Sequence, residues 1–161
     1  NTTAGPGNIS FATASSFSSA SYNSSRSLAL GDFNGDGKLD IAVDHYGNTV
    51  DNVSVFPNTS VSGTINFGTS VLLATSPQGT NTQAVTIGDV NGDGKPDLVV
   101  SDYNATIVSV LKNTTTSTFS ITFANYAGYV DPAGTNGTSL ANNINLVDLN
   151  GDGILDIVRC N

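Results

Sequence analysis

Three stretches of this chain gather side-chain oxygens at a fixed spacing. They read Asp32-Phe-Asn34-Gly-Asp36-Gly-Lys38-Leu-Asp40, Asp89-Val-Asn91-Gly-Asp93-Gly-Lys95-Pro-Asp97 and Asp148-Leu-Asn150-Gly-Asp152-Gly-Ile154-Leu-Asp156. The shared pattern is D-x-N-G-D-G-x-x-D, and the starts lie 57 and 59 residues apart. Such a set is hard-cation chemistry: calcium takes about 6–8 oxygen ligands at roughly 2.3–2.6 Å and accepts carboxylates, amide carbonyls and backbone carbonyls. Positions 1, 3, 5 and 9 supply side-chain oxygens from Asp, Asn, Asp and Asp in every copy. Position 7 is Lys38, Lys95 or Ile154, so the ligand expected there is the backbone carbonyl. Glycines at positions 4 and 6 allow the positive φ needed to wrap an ion. An Asx- and Gly-rich hairpin without metal is the plainer alternative. A turn alone, however, does not require three carboxylates at fixed spacing, and three Ca2+ sites are the expectation.

The elements that position these loops are strands. An EF-hand would need a bidentate Glu at position 12 and flanking helices. Position 12 is Val43, Val100 or Arg159, and the chain contains no Glu. Dockerin-type loops begin alike but are also helical and lie closer together. Here Ser-Leu-Ala-Leu-Gly precedes the first loop and Leu39-Asp-Ile-Ala-Val43 closes it, while Pro96 leads into Asp97 and Leu98-Val-Val100. Short Val- and Ile-rich runs between Gly, Asn, Ser and Thr stretches read as strands. No segment carries a long helical period. With these flanks the loops resemble the FG-GAP repeats, also called VCBS or integrin-alpha-type β-propeller repeats. That resemblance covers nearly the whole chain. It implies all-β, tandem four-stranded propeller-type blades with one calcium loop per repeat.

The internal repeat sets the expected strands. Strand a spans 28–30, 85–87 and 144–147, and strand b spans 39–43, 97–100 and 155–158. Strand c spans 52–56 and 107–111. Strand d is expected near the recurring Phe11, Phe67 and Phe123, at 9–14, 65–73 and 121–126. The chain then divides into 1–22 as the last strand of a preceding blade, 23–79 as repeat 1, 80–138 as repeat 2 and 139–161 as a partial repeat 3. Three loops are fewer than the 4–8 blades of a closed propeller. The expectation is therefore a piece of a longer array, a subunit completed by other copies, or a fibre component, since open end blades leave edges to be paired.

Composition excludes several classes. Of the 13 acids nine lie in the loops, and only Asp44, Asp51, Asp102 and Asp131 lie outside. Three Ca2+ would bring the formal charge of −8 to −2. The acidity thus reads as a metal requirement rather than a partner signal. Five scattered Lys and Arg make no nucleic-acid footprint. One cysteine, Cys160, excludes an intrachain disulfide framework and reads as a small core residue. No apolar run reaches the roughly 20 residues of a membrane helix. Millimolar calcium outside cells suits loops of this kind, which places the protein in the extracellular space or on a cell surface. The motif N-x-S/T occurs at Asn1, Asn8, Asn23, Asn52, Asn58, Asn104, Asn113 and Asn136, all glycosylation candidates. Those at Asn1, Asn58 and Asn113 fall at the same point of each unit, in the c–d connection.

An enzyme is not expected. With one His, one Cys and no Glu, no nucleophile–base–acid set assembles. His45 reads as a surface or loop residue, and the five tyrosines as packing between blades or on loop edges. The expected function is an extracellular, calcium-stabilised structural or adhesive module of a larger surface protein, fibre or homo-oligomer. Its partners would be other copies or further repeats, and glycans or surface proteins. The alternatives are a propeller module binding carbohydrate or protein ligands, and a non-catalytic accessory domain of a secreted enzyme.

Overall fold

The computed structural model describes residues 11, 13–17, 24–47, 53–75, 82–102, 107–130 and 143–159. Ten strands and no helix appear among them: β1 (Leu28–Gly31), β2 (Asp40–Asp44), β3 (Val53–Phe56), β4 (Val71–Leu73), β5 (Thr82–Gly88), β6 (Asp97–Asp102), β7 (Ile107–Leu111), β8 (Ala127–Val130), β9 (Ile144–Val147) and β10 (Asp156–Arg159). They form three antiparallel sheets in sequence order, β1-β2-β3-β4, β5-β6-β7-β8 and β9-β10. The all-β expectation holds, and each a–b hairpin carries one of the D-x-N-G-D-G-x-x-D loops. The described residues form an open row of sheets rather than a closed ring.

The sheets stack through their first strands, with β5 against β1 and β2, and β9 against β5 and β6. Between sheets 1 and 2 lies a core of Phe33, Ala42, Val53 and Val55 from the first and Val85, Leu98, Val100 and Leu111 from the second. Between sheets 2 and 3 lies a smaller core that includes Val99, Val108 and Ile144. Each sheet therefore offers one face to its predecessor and the other to its successor, with strand alternation sorting the residues between them. At the junctions a glycine receives the next sheet. A Cβ on Gly31 would stand 3.0 Å from Ile87, and one on Gly88 only 2.7 Å from both Leu146 and Leu155. The corresponding residue of the third sheet, opposite Asp156, is Val147.

Strand d departs from expectation. It begins at Val71 and Ala127, after the repeated phenylalanines rather than at them. The intervening residues fold back as short hairpins at 57–68 and 112–124, with bridges Asn58↔Phe67 and Asn113↔Phe123. The c–d pairing continues through these bridges, with the Gly68 N–H donating to the Pro57 carbonyl (2.8 Å) and the Ala124 N–H to the Lys112 carbonyl (2.8 Å), while the N–H of Asn58 turns to the other side and donates to Asp40 (2.7 Å), as that of Asn113 does to Asp97 (2.8 Å). Of the expected strand at 9–14, the described residues Phe11, Thr13 and Ala14 are not in a strand.

His45 also differs. It is fully buried at the end of β2, with Nε2 2.6 Å from the Ser54 hydroxyl and Nδ1 3.4 Å from that of Ser25. Burial lowers its pKa and holds it neutral. It is a core histidine satisfied by hydroxyls, not a surface residue. Tyr126 packs on the first core, Tyr46 lies under the Arg26 guanidinium at 3.5 Å, and Tyr129 is exposed. Tyr22, Tyr103, Cys160, Asp51 and Asp131 lie outside the described residues. No helix among the described residues is long and apolar enough to cross a membrane.

Candidate functional site

The three loops follow one backbone path. Gly35 and Gly37 have φ of 72° and 83°, Gly92 and Gly94 75° and 83°, Gly151 and Gly153 78° and 84°. A Cβ at any of these glycines would meet nothing within 4 Å, so the demand for glycine comes from the left-handed backbone and not from crowding. This path turns successive N–H groups inward onto the first aspartate. Asp32 accepts from Gly35 (2.8 Å), Asp36 (3.1 Å) and Gly37 (2.8 Å). Asp89 accepts from Gly92 (2.8 Å), Asp93 (3.1 Å) and Gly94 (2.7 Å). Asp148 accepts from Gly151 (2.6 Å) and Gly153 (2.8 Å). The N–H of Gly94 foremost pulls Asp89 below the usual carboxylate pKa, and that of Gly153 does the same for Asp148. Hydrogen bonds to the ionised form favour it, so these carboxylates are charged.

The middle positions order the second half of each loop. Asn34 accepts from the Asp36 N–H (3.1 Å) and Asn150 from the Asp152 N–H (2.8 Å). Asn91 instead donates its amide to Asp97 (2.8 Å). At position 5, Asp36, Asp93 and Asp152 accept the N–H of Lys38 (2.9 Å), Lys95 (3.1 Å) and Ile154 (2.8 Å). Asp93 is also paired with Lys112 at 3.0 Å, which lowers its pKa.

Position 9 has a different task. Asp40 accepts the N–H of Phe33 (2.9 Å) on one oxygen and that of Asn58 on the other. Asp97 does the same with Val90 (3.2 Å) and Asn113. Both are buried, and burial is the largest influence raising their pKa, against these N–H bonds. They tie the loop entrance to the neck of the c–d hairpin. Asp156 holds Leu149 in the same way (3.0 Å).

The sequence missed that asparagine neck. Asn58 donates its amide to the Leu39 carbonyl (2.8 Å), and Asn113 donates to the carbonyls of Phe33 (2.9 Å) and Pro96 (3.1 Å). Asn113 is fully buried. Both amide nitrogens, named above as glycosylation candidates, are hydrogen-bonded to backbone carbonyls in this structure, and Asn113 is closed to solvent. The signal was the repeated Asn-Thr-Ser/Thr itself, which marks a strap between the loop and the hairpin neck. Asn1, Asn8, Asn23, Asn52, Asn104 and Asn136 lie outside the described residues.

The donor chemistry of the loops fits a hard cation. All side-chain donors are oxygens, and an ionised carboxylate offers about four lone-pair sites, so the N–H bonds above leave capacity on each. The side chains are not gathered around a common point, however. Among the described residues no three Asp, Glu, His or Cys groups lie close enough together to hold a metal ion.

Comparison with known proteins gives one match and two blanks. The FG-GAP-like repeat family matches residues 2–43, 46–100 and 89–158. No curated protein and no solved structure matches the chain significantly. With the repeat matched along nearly its whole length, the chain belongs to the FG-GAP-like repeat family.

Proposed function

We propose that this chain is an extracellular structural or adhesive repeat module whose three loops each take one Ca2+. The observation that carries the reading is the shared loop path: three times over, left-handed glycines fold a short loop whose N–H groups donate to its first aspartate, within an oxygen-only donor set. The residues that would hold the ions are Asp32, Asn34, Asp36 and Asp40; Asp89, Asn91, Asp93 and Asp97; and Asp148, Asn150, Asp152 and Asp156. The carbonyls of Lys38, Lys95 and Ile154 complete the sets. Each ion would offset the repulsion among ionised carboxylates and fix the a–b hairpin. The buried members Asp40 and Asp97 serve the hairpin neck as well, so their replacement would cost stability with or without calcium.

The test is native mass spectrometry of the chain titrated with calcium, alongside its melting temperature. Three ions and a melting temperature that rises with free calcium are expected, because a ligand bound by the folded state alone stabilises it. Asp36→Ala should remove one ion. A chain that takes up no calcium and melts alike in calcium and chelator would overturn the reading. The adhesive role draws support from the uncovered apolar residues of sheet 1, among them Leu28 and Leu30. Its partners would be further repeats or other copies, which light scattering in millimolar calcium would reveal.

A further inference from the structure

The loops and hairpins enclose a groove whose chemistry points to a ligand of its own. One lobe, of about 500 Å3, lies between residues 32–35 of the first loop, 94–96 of the second and 115–118 of the second hairpin. A second lobe, of about 420 Å3, lies between Asn34, Asp36 and Lys38, residues 57–59 of the first hairpin and 118–121 of the second. The lobes meet where the Asn34 amide donates to the Thr118 carbonyl at 2.9 Å. Beside that junction, at the tip of the second hairpin, Phe119 is 97% exposed. Each lobe falls within the roughly 300–1,000 Å3 of small-molecule sites.

We propose that this groove binds a neutral oligosaccharide. Its walls set the hydroxyls and amides of Asn34, Asn58, Thr59, Thr115 and Ser117, which can each give and accept hydrogen bonds, into a surface that is for the larger part apolar. Sugar hydroxyls match such walls, and the C–H face of a pyranose ring matches an unburied aromatic at the rim. An apolar ligand would leave the hydroxyls and amides unsatisfied, whereas a sugar meets both kinds of wall. The two lobes in line suit a chain of rings rather than one.

The groove is also held in shape before any ligand arrives. Asn113 straps the second hairpin to Phe33 of the first loop, Lys95 donates to the Thr115 carbonyl at 2.6 Å, and Asn34 holds Thr118. A preformed site loses little ordering entropy on binding. The groove shares Asp32, Asn34 and Asp36 with the first proposed ion site, but the bonds that shape it need no ion, so the inference goes beyond the calcium reading and the two can fail separately.

The experiment is a panel of neutral di- to tetrasaccharides of glucose, galactose, mannose and N-acetylglucosamine, screened on the whole chain and titrated calorimetrically, in calcium and in chelator. Saturable binding is expected for at least one of them. Phe119→Ala, which leaves the fold intact because the side chain touches little, should weaken it about tenfold or more, as loss of an aromatic anchor does. Phe119→Trp should retain it, and Tyr129→Ala should leave it unchanged. No binding to any neutral member, or binding indifferent to Phe119→Ala, overturns the proposal, as does binding confined to acidic glycans or peptides. Binding kept in chelator with the same Phe119 dependence supports the groove even if no calcium is taken up.

Discussion

Strands β2 and β6 occupy the same place in two successive units, yet they live in different surroundings. Every residue of β6 is buried, whereas β2 alternates, with Ala42 buried and Ile41 and Val43 half-exposed. The cause lies outside both strands. Leu98 and Val100 face the first sheet and close the larger core, while Ile41 and Val43 carry the same apolar character on a face that no other sheet covers among the described residues. With Phe56, Phe17 and Phe67 they line an apolar recess of about 280 Å3. Leu28 and Leu30 beside them are 62% and 52% exposed, where the matching Val85 of β5 is buried. Local sequence thus fixes which side of a strand is apolar, and place in the row decides whether that side is covered.

The comparison can be broken first at its centre. Leu98→Ala should cost about 3 kcal/mol or more by opening a void in a closed core, and Ile41→Ala only about 1 kcal/mol. Denaturant titration of the two variants measures this. Equal costs would mean that the outer face of β2 is covered in solution. The glycine junctions come next. Gly88→Ala forces its methyl against two leucines and should lose about 1–3 kcal/mol, while Gly31→Ala meets one isoleucine at a longer distance and should lose less. Reversed order in thermal melts would show that the second core relaxes more easily than the first.

The strand ends give a comparison of opposite sign. Asp44 accepts the N–H groups of Arg26 and Ser27, both at 2.7 Å, whereas Asp102 is buried with neither oxygen hydrogen-bonded. Burial pushes the pKa of Asp102 up to about 7. The folded chain keeps that proton up to about pH 7 while the unfolded chain releases it near the usual 3.8. Its contribution is therefore most favourable below that lower value and is lost as pH rises through 7. Asp102→Asn should raise stability by about 1–3 kcal/mol at pH 8, with the gain fading toward pH 4, and Asp44→Ala should lower it. Melting curves across that range check both, and a gain independent of pH would rule out the buried charge as its source. The smallest effect is at the necks. Asn113→Ala should cost about 1–2 kcal/mol, and the half-exposed Asn58→Ala about half of that. Equal values would deny that burial separates them.

Much of this was legible from residues alone, and the reason is locality. The loops declare themselves because each first aspartate binds N–H groups three to five residues onward, so spacing and chemistry sit in one window. Strands a, b and c follow from their apolar runs. What was not legible depended on distant partners. Phe67 and Phe123 look like strand residues whether they join the ladder or the short hairpin beyond it, and only their pairing with Asn58 and Asn113 tells which. The burial of His45 depends on Ser54 and Thr82, the latter 37 residues away. A sequon carries no mark of whether its amide points to solvent or to the Phe33 carbonyl, 80 residues back.

The junction glycines carry one more implication. Gly31 and Gly88 each leave a notch that the following sheet fills, and Val147 stands in the same place with no notch to offer. The units are therefore alike in sequence but not interchangeable. A rearranged gene that placed the third unit ahead of the second would set two valine methyls where Ile87 must seat, and the row would part at that seam. In this lineage of repeats, order is written in the one residue whose side chain is missing.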